Sequence, residues 1–524
     1  MRQRGLLGAA ALVTVFTVVQ KLAGFVREQA VARAFGASAA TDVYLVGMTL
    51  PELATVVAAG GVLGALVPDL AARVGRGDRA GAWVAARRAL ARTAALGGGA
   101  ALVVFVALPL LLAPFTHAWP SAEARLAVNT ARIAIAGPVL VAVASVLAAL
   151  LHAHRVFVYT PLGRSAQSLL IAAVAFALAG AGGPLPLAWA YLAGAVVQVG
   201  LLATIAALAL RRPGGRGEAS PPEAGADGAE TVPGGGALFA PVAAWSLLQS
   251  GYLVVDRLFA PVLPPGAIAA LTFSDKLRQF ALQTAVWAVG AVSYPALAAA
   301  RGSGDGAALQ RVLGQGMRLA LLVALPVTAG LLTLRLPIVQ VVYQRGAFGP
   351  EATRLTAATL LGDAVGVTGF AVTQLLAYVL FTLGRPWVPP LALLAGAGVQ
   401  ALIGALLLGP LGAPALAWGA SMGAFAAAGV QAWAARREVG DLVGPLVRGL
   451  ARPALAAAAM GAACLVAAPR LGGLPAPQKA IATLVLVGAA ALLYGLLLWW
   501  LGVPEVAAAV RRLVHGRDPR PGPR

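Results

Sequence analysis

Three charged side chains interrupt the far end of the first apolar segment, where charge in a membrane is costly. Lys21, Arg27 and Glu28 follow an apolar run that begins near Leu6. In a helix, the seven-residue spacing places Lys21 and Glu28 on one face and Gln20 and Arg27 on the adjacent stripe. Charges within membrane segments are usually functional. Two such cations could bind a pyrophosphate group, because Arg donates charge-assisted hydrogen bonds bidentately and Lys adds a point charge.

A second interpretation of the same segment needs no ligand. Arg27 and Arg33 could reach the outer membrane interface and pair there with Glu28 and Asp42. The cavity interpretation is favoured for Lys21 and Arg27, and the interface for Arg33. All of these cations and Asp42 are kept as candidates for substrate binding.

The second half of the chain has its own group of intramembrane charges. Asp256 lies beside Arg257, and Asp275 is followed by Lys276 and Arg278, so either acid could form a structural salt bridge in its own segment. Asp363 is the most isolated acid of the sequence. Between Gly362 and Gly366 it could lie in an opened helix and bind a coupling Na⁺ or H⁺, or it could lie at a solvated helix end. The ion-coupling and conformational candidates are Glu28, Asp256, Asp275 and Asp363, and the candidate cations are Lys276 and Arg278.

Enzyme chemistry has little support. Cys464 is the single cysteine, so no disulfide or thiolate metal site can form within one chain. The four histidines show no metal-ligand spacing beside a carboxylate. Neither a nucleophile motif nor a phosphate-binding Gly-Lys-Ser occurs. We therefore expect a transporter with no catalytic residues, no metal site and no cofactor other than a coupling ion.

The composition places these charges in a membrane protein. Hydrophobic residues make up 60% of the 524 residues and charged residues 11%, with a mean hydropathy of +0.84. Such a chain is an all-α polytopic membrane protein. The net charge of +20 comes from short basic loops between apolar spans, which is typical of cytoplasmic loops and argues against nucleic acid as a partner.

The apolar stretches predict about fourteen transmembrane helices. The first is expected to be retained, because residues 20–27 offer no convincing signal-peptide cleavage site. The distribution of arginines places both termini in the cytoplasm. The predicted spans begin near Leu6, Val43, Ala95, Ile133, Ser165, Leu187, Leu238, Phe280, Leu319, Thr356, Val388, Ala415, Pro453 and Ala480.

Two pairs of similar segments, each pair separated by nearly the same number of residues, predict an internal duplication. The segments of the first pair end at Pro68 and Pro295. The segments of the second pair contain Arg155 and Arg385, which are almost the same number of residues apart. Six spans in each half give parallel repeats about an axis along the membrane normal. The predicted domains are an N-terminal six-helix lobe (1–212), a flexible cytoplasmic linker (213–236), a C-terminal six-helix lobe (237–440), two accessory transmembrane helices (441–502) and a basic cytoplasmic tail (503–524).

Several short motifs resemble the MurJ/MviN family, which flips the lipid-linked precursor of peptidoglycan. The first helix shows Lys21, Gly24-Phe25 and Arg27, and Asp42 follows. Ser274-Asp-Lys-Leu277 stands where the family usually reads Ala-Asp-Arg-Leu, and Arg345-Gly-Ala-Phe348 matches closely. The resemblance covers most of the first twelve spans. It implies the multidrug/oligosaccharidyl-lipid/polysaccharide (MOP) exporter fold with two further C-terminal helices, and cavity cations at Lys21, Arg27 and Lys276.

One departure from the family pattern affects the expected site. After Leu50-Pro51 the family usually continues Asn-Leu-Leu-Arg-Arg, whereas this chain has Glu52-Leu-Ala-Thr-Val56. Thr55 and Val56 therefore replace two arginines. Each charge-assisted bond to a buried anion contributes roughly 1.5 to 3 kcal/mol. Either Arg33 or Arg278 compensates, or the substrate or the transport function has changed.

The resemblance implies a flippase for a lipid-linked sugar pyrophosphate, most simply lipid II, which works by alternating access. The alternatives are an exporter of another polyprenyl-linked polysaccharide unit, a drug/cation antiporter of the same fold, and a non-transporting degenerate paralogue. The expected location is the bacterial cytoplasmic (inner) membrane, with membrane lipids as further partners. We expect a monomer, with association with the cell-wall synthesis machinery left open.

Overall fold

The computed structural model describes residues 2–154, 156, 160–178, 183–211, 239–283, 306–440 and 443–506. The predicted linker 213–236 and most of the predicted tail lie outside these ranges. So does the Pro295 segment of the internal duplication, and the two-lobe repeat therefore stays a prediction. Within the described ranges the secondary structure is helical, without strands, which confirms the all-α fold class.

The described residues form two compact units. Unit 1 comprises residues 1–273 and 343–352, and unit 2 comprises residues 274–342 and 353–524. The helices of unit 1 are α1 (Arg2–Phe35), α2 (Ala39–Gly75), α3 (Arg79–Thr116), α4 (Ser121–Ala134), α5 (Gly137–Ala153), α6 (Thr160–Leu178), α7 (Leu185–Arg211), α8 (Phe239–Gln249), α9 (Gly251–Leu258) and the first turns of α10 (267–283).

Unit 2 contains the rest of α10 and the helices that follow it. Helix α11 ends at the boundary between the units, and the first residues of α12 belong to unit 1. The helices are α11 (Gly306–Tyr343), α12 (Pro350–Thr382), α13 (Val388–Leu411), α14 (Pro414–Val439), α15 (Val443–Ala467) and α16 (Ala476–Trp500).

Several helices are longer than the hydrocarbon core requires. Helix α3 has 38 residues, about 57 Å at 1.5 Å per residue, against a core of about 30 Å. Helices α4 and α5 together form a single apolar span, Ser121–Ala153. The span predicted near Phe280 belongs to α10, which already begins at 267. In the described ranges, nine segments are long and apolar enough to cross a membrane, and the count of fourteen stays a prediction.

The helices of unit 1 pack in a series, in which α1 and α2 have little contact although they are adjacent in sequence. Helix α1 packs on α6, α6 on α7, α7 on α5, and α5 on α2. Small side chains allow the close contact of α2, α3 and α5, where Leu70, Ala82, Ala86 and Ala149 are fully buried. In the described part of the chain, α1 and α2 share no extensive interface with each other although only residues 36–38 separate them.

Glycines and the C-terminal helices organise unit 2. A side chain at Gly362 would lie 2.8 Å from the Trp418 nitrogen, so α12 and α14 can approach closely only because this residue lacks a Cβ atom. Helices α15 and α16 pack on α11, where the Tyr494 hydroxyl donates a hydrogen bond to the Leu322 carbonyl at 2.9 Å. Arg318 pairs with Glu505 at 2.7 Å just beyond α16.

Candidate functional site

Hydrogen bonds to the Asp42 side chain connect the start of α2 to the start of α10. Its side chain is buried, and its two carboxylate oxygens accept hydrogen bonds from the backbone nitrogens of Gly266 at 2.6 Å and Ala269 at 2.7 Å. A carboxylate at this position satisfies free N–H groups and interacts favourably with the helix dipole. Both oxygens are engaged by the backbone of α10, so the interpretation of Asp42 as a partner of Arg33 was wrong. A role of Asp42 in substrate binding stays a prediction.

Three loops meet around this contact, and we call residues 36–42, 263–269 and 343–349 the loop clasp. Gly36, Gly266 and Gly346 have φ values of 66°, 85° and 58°, which strongly favour glycine. A Cβ atom at Gly346 would lie 2.5 Å from the carbonyl oxygen of Arg33, which also accepts a hydrogen bond from the Ala347 nitrogen at 2.9 Å. The Arg-Gly-Ala-Phe motif therefore contributes to the clasp through its backbone conformation and backbone contacts.

Aromatic packing completes the clasp. The rings of Phe273, Tyr343 and Phe348 lie with centroids 5.0 to 5.6 Å apart, and all three side chains are buried. The Tyr343 hydroxyl donates a hydrogen bond to the Phe273 carbonyl at 3.3 Å. Aromatic pairs at such distances stabilise by about 0.5 to 1.5 kcal/mol beyond the area that they bury. The clasp thus combines a helix cap, close backbone contacts and an aromatic cluster.

Polar and charged side chains of α1, α2 and α7 form one group. Arg27 pairs with Glu28 at 2.5 Å, and Tyr44 and Glu52 of α2 interact electrostatically with the Arg27 guanidinium. The Thr55 hydroxyl lies 3.0 Å from the hydroxyl of Tyr191. We call this group the α1–α2 polar site; its members are Arg27 and Glu28 of α1, Tyr44, Glu52 and Thr55 of α2, and Tyr191 of α7. We include Lys21, because it lies two helical turns before Glu28 on the same face of α1.

The α1–α2 polar site lies partway along two helices that the sequence predicts to span the membrane. Helix α1 ends at Phe35 and α2 begins at Ala39. Lys21 and Glu52 each lie roughly four helical turns, or about 20 Å along the helix, from the connection at 36–38. The hydrocarbon core is about 30 Å thick. With α1 and α2 as membrane spans, the partly buried Lys21 and the exposed Glu52 lie at similar depth inside the core.

Arg33 lies apart from this site. Its side chain is exposed and its guanidinium carbon is 5.6 Å from the centroid of the Phe176 ring on α6. This position agrees with the interface interpretation of Arg33, although the predicted partner Asp42 caps α10 instead. Arg33 therefore does not compensate for the missing arginines within the α1–α2 polar site.

Unit 2 contains a second group of charges, formed by Ser274, Asp275, Arg278 and Asp363, which we call the α10–α12 ion cluster. The buried Arg278 side chain forms an ion pair with Asp275 and lies 3.9 Å from Asp363. Ser274 donates a hydrogen bond to Asp363. The guanidinium also stacks on the Phe370 ring, with 3.8 Å between its carbon and the ring centroid. The prediction of a salt bridge within the Asp275 segment is confirmed.

Two expectations about this cluster were wrong. Asp363 is not isolated, because Ser274 and Arg278 contact its carboxylate. Helix α12 is also not opened at Asp363, since it runs unbroken from Pro350 to Thr382. Gly362 and Gly366 instead allow α14 to pack closely, and the Ser421 hydroxyl donates a hydrogen bond to the Gly362 carbonyl at 2.6 Å. Arg278 is held by carboxylates, and its role as a compensating arginine stays a prediction.

The remaining candidates lie on neighbouring helices. Lys276 is partly buried on α10 in unit 2, and Asp256 is partly buried on α9 in unit 1. Arg257, next to Asp256, is buried and donates a hydrogen bond to Thr272 at 2.8 Å. Among the described residues no group of three His, Cys, Asp or Glu side chains is arranged to hold a metal ion. Sequence patterns do not reveal Tyr191, because a lone Tyr in an apolar helix gives no signal.

The helical architecture matches that of solved transporters. It is similar to the inward-facing conformation of a multidrug resistance MATE family transporter of the MOP superfamily. The TM-score is 0.66 at 16% identity, over 83% of this chain and 98% of that one. At this identity the likeness shows the fold alone, a shared helical architecture.

A second set of matches gives the family. The family model described as lipid II flippase MurJ matches residues 31–472, so the chain belongs to the lipid II flippase MurJ family. The structure of a lipid II flippase MurJ in an inward closed conformation aligns with a TM-score of 0.71 at 15% identity, over 96% of this chain and all of that one. The resemblance stated from the motifs is confirmed, as is assignment as a transporter rather than an enzyme.

Curated relatives agree with this assignment. The lipid II flippase MurJ of Burkholderia cenocepacia is 28% identical over 401 residues, which is 70% of this chain and 72% of that protein. A probable lipid II flippase MurJ of Rickettsia prowazekii is 29% identical over 124 residues. The Rickettsia match spans 24% of each chain.

Proposed function

We propose that this protein moves lipid II across the bacterial cytoplasmic membrane by alternating access, with the head group bound at the α1–α2 polar site. The observation that carries the proposal is a group of polar and charged side chains on α1, α2 and α7 around Arg27, within a chain of this family. Intramembrane cations that face a cavity suit an anionic head group. The lipid tail would remain among the membrane lipids.

The loop clasp supplies the gate in this proposal. With the N-terminus in the cytoplasm, α1 crosses outward and the connection at 36–38 lies on the periplasmic side. The clasp then closes the outer side, about 12 Å along α1 from Arg27. Release of the head group would require the Asp42 carboxylate to leave the start of α10, and rebinding would restore the closed state.

Coupling to a cation is a further part of the proposal. The α10–α12 ion cluster sets one guanidinium against the carboxylates of Asp275 and Asp363. Such a cluster attracts a further proton or Na⁺, which would reduce the excess negative charge. Binding there could bias one step of the cycle. We propose a monomeric transporter, and association with cell-wall synthesis proteins stays a prediction.

The test is complementation of cells depleted of their own lipid II flippase. Wild type is expected to restore growth, whereas Arg27→Ala fails at matched membrane expression because the head group loses a charge-assisted donor. Arg125→Ala is the matched control, since Arg125 is an exposed arginine of unit 1 outside the polar site. Rescue by Arg27→Ala equal to that of wild type would contradict the proposed site.

A further inference from the structure

The α1–α2 polar site has balanced charges, which is unusual for a site that must hold a pyrophosphate. Its cations are Lys21 and Arg27, and its carboxylates are Glu28 and Glu52. Glu28 already pairs with Arg27 at 2.5 Å. A purely anionic ligand would meet no surplus of positive charge there, and a carboxylate at close range would repel it. A ligand with both negative and positive groups fits this balance better.

Glu52 is the carboxylate that is free to meet a ligand. Its side chain is exposed, and it takes part in none of the ion pairs or side-chain hydrogen bonds of the described residues. A charge about 20 Å into the membrane avoids acyl chains and faces water or protein. Glu52 precedes Thr55 by about one helical turn, and the Thr55 hydroxyl lies 3.0 Å from that of Tyr191, so Glu52 lies on the side of α2 that faces α7.

The uncharged groups of the site offer acceptors. The Thr55 hydroxyl donates its single proton to the Pro51 carbonyl at 2.8 Å, so the Tyr191 hydroxyl at 3.0 Å must donate to Thr55. The Tyr191 oxygen then keeps its acceptor capacity. On α1, the side-chain oxygen of Gln20 is buried and accepts no hydrogen bond. Acceptors beside an unpaired carboxylate are suited to an N–H donor with positive charge.

We propose that Glu52 determines specificity by binding a primary ammonium group on the head group of the lipid-linked substrate, while Lys21 and Arg27 face its pyrophosphate. This inference rests on the proposed function and names the class of head group. Thr55 follows Glu52 by about one helical turn and, through Tyr191, fixes this part of α2 against α7. The part of the α2 backbone that carries Glu52 is thereby held against α7.

The test is binding by the full-length protein in nanodiscs. The two probes are a lipid-linked pyrophosphoryl disaccharide-peptide with a free primary amine and the same lipid with that amine N-acetylated. Wild type is expected to bind the free amine about 10-fold more tightly, an ordinary value for one charge-assisted contact. Glu52→Gln should bind both lipids equally. Glu123→Gln, which removes a carboxylate from α4 outside the site, should keep the preference of wild type.

Each outcome decides the inference. Equal binding of both lipids by wild type overturns it, as does a preference of about 10-fold that survives in Glu52→Gln. Binding of neither lipid by wild type contradicts the proposed function and the inference with it. If wild type binds both lipids equally, the inference about Glu52 is contradicted and the proposed function is not. Thermal unfolding of Glu52→Gln close to that of wild type would confirm that the variant is folded.

Discussion

The α1–α2 polar site and the α10–α12 ion cluster contain the same types of charged group, but their side chains differ in exposed fraction. Each sets an arginine against carboxylates. The Arg27 side chain is 32% exposed, whereas the Arg278 side chain is 8% exposed and contacts Asp363, which is 6% exposed. A buried ion pair contributes mainly when it is complete, because removal of one partner leaves an uncompensated charge. Burial therefore separates the charges that serve the fold from the charges available to a ligand.

Breaking the buried cluster is expected to cost the most stability. Arg278→Ala leaves the carboxylates of Asp275 and Asp363 without their cation. Loss of one member of a buried ion pair destabilises proteins by about 3 to 5 kcal/mol. Chemical unfolding in detergent should show this decrease, and the control Arg354→Ala, at an exposed arginine of α12, should change little. A change below about 1 kcal/mol, the range of exposed pairs, would remove the distinction between the two regions.

Asp42 provides an intermediate case, a buried carboxylate compensated by a helix N-terminus. Asp42→Ala should destabilise the clasp by about 1 to 2 kcal/mol, the usual value for a lost helix cap. We expect faster thiol labelling of Ala37→Cys in this variant, because the clasp opens more often. The native Cys464 is buried and should react slowly. Asp69→Asn, which removes an exposed carboxylate of α2, is the control, and equal labelling in both variants would argue against the gate.

A smaller effect is expected from the uncharged part of the polar site. Tyr191→Phe removes the hydroxyl that donates to Thr55 and keeps the ring. The expected destabilisation is about 0.5 to 1.5 kcal/mol, typical of one hydrogen bond. Unfolding measurements on this variant and on Tyr494→Phe, which loses the bond to Leu322, would compare the two units. A loss far above this range would mean that Tyr191 supports the fold beyond this contact.

Breaking the partly buried pair of Arg27 and Glu28 is expected to change stability least. Arg27→Ala removes this contact, whose side chains are 32% and 13% exposed. Exposed ion pairs contribute only about 0 to 1 kcal/mol, and we place this pair at the upper end of that range. The free energy of unfolding should therefore stay within about 1 kcal/mol of wild type in chemical unfolding. A loss as large as that expected for Arg278→Ala would place both arginines in the same structural role.

The sequence predicted what depends on composition and local pattern. Apolar runs predicted a polytopic helical fold, and the charges of the first helix predicted Lys21 and Arg27 as candidates. The exposed position of Arg33 also followed from its place at the end of α1. The helical fold and the exposure of Arg33 are confirmed, because helical spacing and apolar length can be obtained from one segment alone. The roles of Lys21 and Arg27 stay predictions.

The failures concern contacts between distant segments. Asp42 contacts the backbone of Gly266, Ser274 contacts Asp363, and Thr55 contacts Tyr191, each across a long stretch of chain. Nothing in the local sequence of α2 indicates that α10 begins beside Asp42. The prediction that Asp363 is isolated likewise considered only its own helix. Partners of buried polar groups depend on tertiary packing, which periodicity does not specify.

Flipping of lipid II by purified protein in liposomes tests the role of Arg27 in transport without the complications of a living cell. Wild type and Arg27→Ala are compared at equal amounts of protein, with Arg125→Ala as the control. We predict that Arg27→Ala lowers the flipping rate by at least about 10-fold while its free energy of unfolding stays close to that of wild type, since one charge-assisted bond to the head group is lost. Flipping by Arg27→Ala at the wild-type rate would contradict the proposed role of the α1–α2 polar site.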